Sequence, residues 1–247
     1  MLMSPQLTED KLFSGRLSCA QHADGYRFSV DAVLLAHFPR PRPGDRMLDL
    51  GAGCGVVSLI ASYRQPQLTI TALELQPQLA GLISRNIERN HLQDRISLVQ
   101  GDLRQISDLV PPESFDWVVC NPPYGKLAAG RVNPVDEQAV CRHEIASDLS
   151  DIIRAISFSL KNRGRAALIY PASRAAVLLA GLKAAALEPK RLQVIHSYPG
   201  GEGKLVLVEA MKNGGVELLI LPPFFIYDQA AGQYSAAMAR LYEPYYP

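Results

Sequence analysis

The chain has 247 residues, is 48% hydrophobic and 20% charged, and carries a formal net charge of +1. That composition suits a globular chain with one substantial core, and it excludes a protein that holds nucleic acid by a global basic field. The four cysteines, Cys19, Cys54, Cys120 and Cys141, are widely spaced with no CxxC pair. Zinc ligation and a disulfide framework are therefore not expected, and a reducing cytoplasm is the expected setting.

In chain order, the start has no charged segment followed by an apolar run, so no signal peptide is expected. No stretch approaches the length that spans a membrane. Residues 1–25 are polar and mixed. Ser29 or Asp31 can cap a helix carrying Val33, Leu34, Leu35 and Phe38. Pro39, Pro41 and Pro43 end it in a stiff connector.

Met47-Leu48-Asp49-Leu50 reads as the first buried strand, followed by Gly51-Ala52-Gly53-Cys54-Gly55 and an apolar helix from Val56. Strand, glycine loop and helix let a backbone approach a cofactor closely. The spacing is G-x-G-x-G, not the G-x-G-x-x-G of dinucleotide binders. Asp49, two positions before the loop, would repel a pyrophosphate and attract an ammonium group. This favours S-adenosylmethionine over NAD. The second strand, Leu68 to Glu74, ends in a carboxylate at the distance expected for binding two ribose hydroxyls. Gln76-Pro77 opens a helix with Leu79, Leu82, Ile83 and Ile87 on its buried face. The third strand, Ile96 to Gln100, leads to Asp102, placed to accept a hydrogen bond from an adenine amino group. Each acid alone could be a solvated strand end; three at three successive strand ends make a pattern.

The fourth strand, Phe115 to Cys120, runs into Asn121-Pro122-Pro123-Tyr124. Proline cannot continue a central strand, so Asn121 and Tyr124 are left at its carboxyl edge, where open parallel sheets bind ligands. The Asn121 side-chain oxygen and the Pro122 carbonyl can each accept one N–H of a planar amino group. Tyr124 can stack on the flat ring. The plainer alternative is a strand stop with a tight Pro-Pro turn. Residues 125–146 read as a long loop holding Lys126, Arg131, Arg142 and His143. With Arg27, its lysine and arginines are candidates to meet phosphates, and His143 is read as a loop histidine rather than a base.

A helix with Leu149, Ile152, Ile153, Ile156 and Leu160 follows, then a fifth strand, Arg165 to Tyr170, and a helix starting at Pro171. The gap between a sixth strand, Arg191 to Ser197, and a seventh, Lys204 to Met211, is too short for a helical crossover. These two strands must form an antiparallel hairpin. Glu217 to Leu221 can extend the sheet edge, and the chain closes on Pro222-Pro223 and a tyrosine-rich tail.

Together, Asp49 to Gly55, Glu74, Asp102 and Asn121 to Tyr124 resemble the ordered motifs of class I S-adenosylmethionine-dependent amino-methyltransferases. Gly25 to Ala36 and Cys141-Arg142-His143-Glu144 resemble segments of the bacterial tRNA(Val) adenine-N6 methyltransferases. The resemblance, over roughly residues 20 to 212, implies an α/β Rossmann-like fold: a seven-stranded, mostly parallel sheet with an antiparallel last strand and helices on both faces. It implies one methyltransferase domain over 1–247, with an N-terminal extension and first helix to 45, a catalytic core over 46–212 and a C-terminal extension from 213. Cofactor contact is implied for Phe28, Asp49, Gly51, Gly53, Glu74, Asp102, Leu103 and Asn121, and amino-group roles for Asn121, Pro122 and Tyr124. The implied cofactor is S-adenosylmethionine and the implied partner tRNA, with neither metal nor membrane. Two other readings stay open. One is a protein glutamine N5-methyltransferase, although about twenty-five residues before Tyr26 leave no room for the helical N-terminal domain usual there. The other is a non-catalytic cofactor- or RNA-binding module.

Overall fold

The computed structural model describes residues 7–23, 28–122 and 149–244. Its centre is strand β3 (Arg46–Leu50). Met47, Leu48 and Leu50 are each at most 1% exposed, as a strand covered on both faces requires. Side chains alternate across it. Met47 joins one apolar cluster, with helices α1 (Val30–His37), α2 (Val56–Arg64) and α3 (Pro77–Arg89), while Leu48 and Leu50 join a second on the opposite face. The second face is covered by α5 (Leu149–Ser159) and α6 (Ala175–Ala184), with the short α4 (Ile106–Leu109) beside them.

On one side of β3 lie β4 (Thr69–Glu74) and then β5 (Ile96–Gln100), both parallel to their neighbours. On the other lie β6 (Phe115–Cys120) and β7 (Leu160–Pro171), also parallel. Strand β9 (Gly203–Lys212) pairs antiparallel with both β7 and β8 (Leu187–His196). The hairpin expected from the short Tyr198–Gly203 connection is therefore present, with its second strand inserted between the first and β7.

Among the described residues the sheet has nine strands rather than the seven expected. The added pieces come from the C-terminal extension: β10 (Leu219–Ile220) and β11 (Phe224–Phe225), each two residues long, pair parallel with the middle and the carboxyl end of β8. Pro222 and Pro223 fall between them, where missing backbone donors break a continuous edge strand. Helix α7 (Ala236–Arg240) then seals the extension through Met238, which is fully buried.

The start of the chain also departs from expectation. Residues read as polar and mixed form an antiparallel hairpin, β1 (Leu7–Leu12) with β2 (Leu17–His22). The free edge of β2 meets not the main sheet but two asparagines one turn apart, Asn86 in α3 and Asn90 at its C-terminal cap. Asn90 accepts from the Ser18 N–H (2.9 Å) and donates to the Ser18 carbonyl (2.7 Å); Asn86 does the same at Ala20 (2.7 and 3.0 Å). Two side-chain amides thus do for the β2 edge what a neighbouring strand would do. The sixth strand and its partner are also longer than read, and Pro171 ends β7 rather than starting a helix; a 3₁₀ turn, Ala172–Arg174, comes first.

Candidate active site

Strand register brings the expected residues to one edge. Leu50 pairs with Leu73 on one side and Cys120 on the other, so the next residues, Gly51, Glu74 and Asn121, stand in a row at the carboxyl ends of β3, β4 and β6. Asp102 follows two positions after Gln100, the residue paired with Glu74.

Asp49 is 2% exposed and is held by Ser58, whose hydroxyl donates to it at 2.7 Å and whose backbone N–H also donates to it. No cation lies within ion-pair distance of it among the described residues. Burial pushes its carboxyl up to about 6; the Ser58 hydroxyl opposes that shift and the nearby Glu74 adds to it. Glu74 is 6% exposed and also raised, again mainly by burial. Its two oxygens accept from the Gly53 N–H (2.8 Å) and the Gln76 N–H (2.9 Å). One carboxylate thereby fixes both the glycine loop and the start of α3.

The loop between these acids is shaped by backbone. Gly51 has φ 71° and nothing within 4 Å of where a Cβ would sit, so the strand end opens onto free space. Gly55 has φ 83° and caps α2; a side chain there would meet Ile83 at 3.3 Å. Asn86 holds the loop from behind by donating to the Cys54 carbonyl at 2.9 Å.

Two buried acids without a cation among the described residues, beside a loop that is open at Gly51, fit a ligand that carries both an ammonium group and a diol. S-adenosylmethionine has both. The remaining expected contacts are placed unequally. Phe28 is half-buried, its N–H held by the fully buried Gln21 at 3.0 Å, so the N-terminal hairpin positions it. Leu103 packs at the margin of the second cluster. Asp102 reaches the edge but is not open: Arg104 grips it through Nε at 2.8 and 3.0 Å, and its Oδ1 caps the following 3₁₀ turn by accepting the Arg104 N–H at 2.9 Å. The arginine holds that carboxyl below the ordinary range. Asn121 is half-buried and Pro122 buried at the end of β6. Tyr124, and the loop of 125–146 with Lys126, Arg131, Arg142 and His143, lie outside the described residues, as does Arg27.

The methyltransferase small domain family matches residues 29–137, a span that contains every acid and glycine of this edge. Over 225 residues the chain is 31% identical to the tRNA1(Val) (adenine(37)-N6)-methyltransferase of a Shewanella species, covering 90% of this chain and 92% of that one. The chain belongs to that family. A relative of the same description from Porphyromonas gingivalis is 29% identical over 94% of this chain and 92% of its own length. Among solved structures, a predicted O-methyltransferase from Agrobacterium tumefaciens superposes with a TM-score of 0.70 at 23% identity, covering 85% of this chain and 94% of that one. TYW2 of P. horikoshii in complex with MeSAdo superposes with a TM-score of 0.59 at 16% identity, covering 85% and 73%. These likenesses establish the class I Rossmann-like methyltransferase fold.

Three residues that serve this site were not anticipated. Ser58 and Asn86 are polar positions inside otherwise apolar helix faces, a signal visible in the sequence. Gln21 carried none, because the hairpin that buries it was not expected.

Proposed function

We propose that the protein transfers a methyl group from S-adenosylmethionine to the N6 amino group of an adenine in tRNA, with Asn121 and Pro122 holding the amino group. The observation that carries this reading is the single row of Gly51, Glu74 and Asn121, with Asp49 buried and cationless just behind it. It supports an electrophile bound over β3 and β4 and a planar acceptor at β6, on adjacent strands. The relatives named for tRNA1(Val) adenine-37 support tRNA as the acceptor.

In this reading Asp49 meets the ammonium and Glu74 the ribose diol. Bound there, the cofactor supplies an electrophilic methyl group. The Asn121 oxygen and Pro122 carbonyl each accept one N–H, which turns the nitrogen lone pair towards that methyl. Most of the acceleration is then positioning. The nitrogen loses its proton after it has taken the methyl group, so the chain needs no general base. Tyr124 supplies a stacking face to an adenine splayed out of its loop. Residues 46–212 act as the catalytic core between the two extensions.

Labelled-methyl transfer tests this directly. The expected result is N6-methyladenine in tRNA, with no transfer to a glutamine-containing peptide, and calorimetric binding of S-adenosylmethionine but not NAD. Methylation of the peptide instead, or comparable NAD affinity, would overturn it.

A further inference from the structure

The C-terminal extension carries an aromatic assembly that the methyl-transfer reading does not use. Tyr227 stacks on Tyr234 (ring centroids 5.5 Å, 24° between planes), and Tyr234 stacks on Tyr242 (5.7 Å, 5°). The assembly is built rigidly. Tyr227 and Tyr234 pair through backbone, the Tyr227 N–H donates to the Ser197 carbonyl at 2.8 Å, and Ser235 caps α7 through the Met238 N–H. Ile226 and Met238 are the buried residues that anchor it. Tyr234 is the middle ring of the three, its side chain also hydrogen-bonds that of Tyr242, and it is 41% exposed.

Its place in the sheet is informative. β8 runs parallel to β7 and β6, because β9 is antiparallel to both β7 and β8. β11 pairs with the last two residues of β8. The tyrosines therefore stand on the same carboxyl edge as Asn121, four strand steps away: β6 to β7, β9, β8 and β11. At about 4.8 Å per step that is about 19 Å, some six nucleotides if stacked at 3.4 Å and fewer if unstacked. Two basic side chains lie along the edge between. Arg174, exposed and lying over the Tyr170 ring at 5.6 Å, follows β7, and exposed Lys204 opens β9, with the exposed Glu202 carboxylate 3.7 Å away.

Resting on the tRNA reading above, we infer that the Tyr227–Tyr234–Tyr242 stack is a second RNA-binding site, taking an unpaired base of the same tRNA a few nucleotides from the target adenine, with Arg174 and Lys204 meeting phosphates between. A chain of net charge +1 holds RNA weakly by charge alone. Aromatic platforms supply sequence-tolerant affinity where basic charge is scarce, and single-stranded RNA offers the unstacked bases they take.

The test uses the full chain and unmodified tRNA. Tyr234→Ala should raise the tRNA KM roughly 5- to 100-fold, the range for losing one stacked base, with S-adenosylmethionine affinity unchanged. Tyr234→Phe should stay within about twofold of wild type. Tyr234→Leu, which keeps bulk but no π-face, should behave like Ala. On an oligonucleotide of about three residues around the target adenine, all four proteins should be alike. Unchanged tRNA KM in Tyr234→Ala, rescue by Leu, or a change of oligomeric state in Tyr234→Ala would each overturn the site while leaving methyl transfer standing. Failure of the wild-type protein to methylate tRNA would instead overturn the reading on which it rests.

Discussion

The two sides of β3 solve different problems. On the β4–β5 side every connection is a parallel crossover, and each strand delivers one polar group to the edge within two residues of its end. The groups there are held by backbone N–H groups and single side chains of the strand-end loops and following helices: Asp49 by Ser58, Glu74 by Gly53 and Gln76, Asp102 by Arg104. On the β7–β9–β8 side the sheet turns antiparallel and is tied by ion pairs across neighbouring strands. Glu209 is 1% exposed and is gripped by Arg165 from β7 and by Arg191 from β8, at 2.6 Å for the latter. Arg191 also lies over the Phe38 ring at 4.5 Å. One side is a ligand site held by backbone and single-side-chain donors at strand ends; the other is a scaffold tied by ion pairs across strands. The sites should accordingly fail differently, the first in binding and turnover, the second in stability.

The largest effect is expected on the scaffold. Glu209→Ala leaves two arginines around a buried, uncompensated site, which costs about 3–5 kcal/mol. Thermal or urea unfolding should show that loss, whereas turnover of the remaining folded protein should change little. A loss of turnover without a loss of stability would erase the contrast between the two sides.

Asn121→Ala should come next, on chemistry rather than stability. Removing a group that acts chiefly in the transition state should lower turnover on the order of 100-fold or more, comparable with removing one preorganised polar contact, while cofactor affinity changes little. Asn121→Asp should recover part of the rate, because a carboxylate oxygen still accepts an N–H. Single-turnover kinetics measures this; near-normal turnover in the alanine variant would break the amino-group clamp.

Glu74→Ala should weaken S-adenosylmethionine binding by about 1.5–3 kcal/mol, the loss of charge-assisted hydrogen bonds to a diol. Calorimetry would read this as roughly a 10- to 100-fold higher Kd. An unchanged Kd would reduce Glu74 to a loop fastener.

The smallest effect is on pH. Because the folded pKa of Asp49, about 6, lies above the ordinary 3.8, its stabilising contribution in the ligand-free protein is present below pH 3.8 and lost as pH rises through 6. Asp49→Asn should therefore be more heat-stable than wild type at neutral pH. A ligand ammonium favours the ionised form, so S-adenosylmethionine affinity should fall about tenfold between pH 7 and 5 in the wild type, and stay flat in Asp49→Asn. Equal pH dependence in both would assign the titration to another group.

What was written locally in the chain was legible. Asp49, the glycine loop, Glu74, Asp102 and Asn121-Pro122 each sit where a strand ends, and a strand end is marked by its own apolar run and by the glycine or proline after it. The short Tyr198–Gly203 link also forced an antiparallel pair by length alone. What depended on partners far along the chain was not legible. The β1–β2 hairpin has no apolar alternation of its own and exists because Asn86 and Asn90, more than sixty residues later, complete its edge. The grip of Arg104 on Asp102 is close in sequence, but choosing it over an open carboxylate depends on side-chain geometry that spacing does not encode. The tyrosine-rich tail looked like an appendage. Only pairing with the far end of β8, fixed when β9 inserted itself between β8 and β7, set it on the same edge as Asn121. Periodicity specifies which face of an element is buried, whereas the neighbour that buries it is chosen by the fold as a whole.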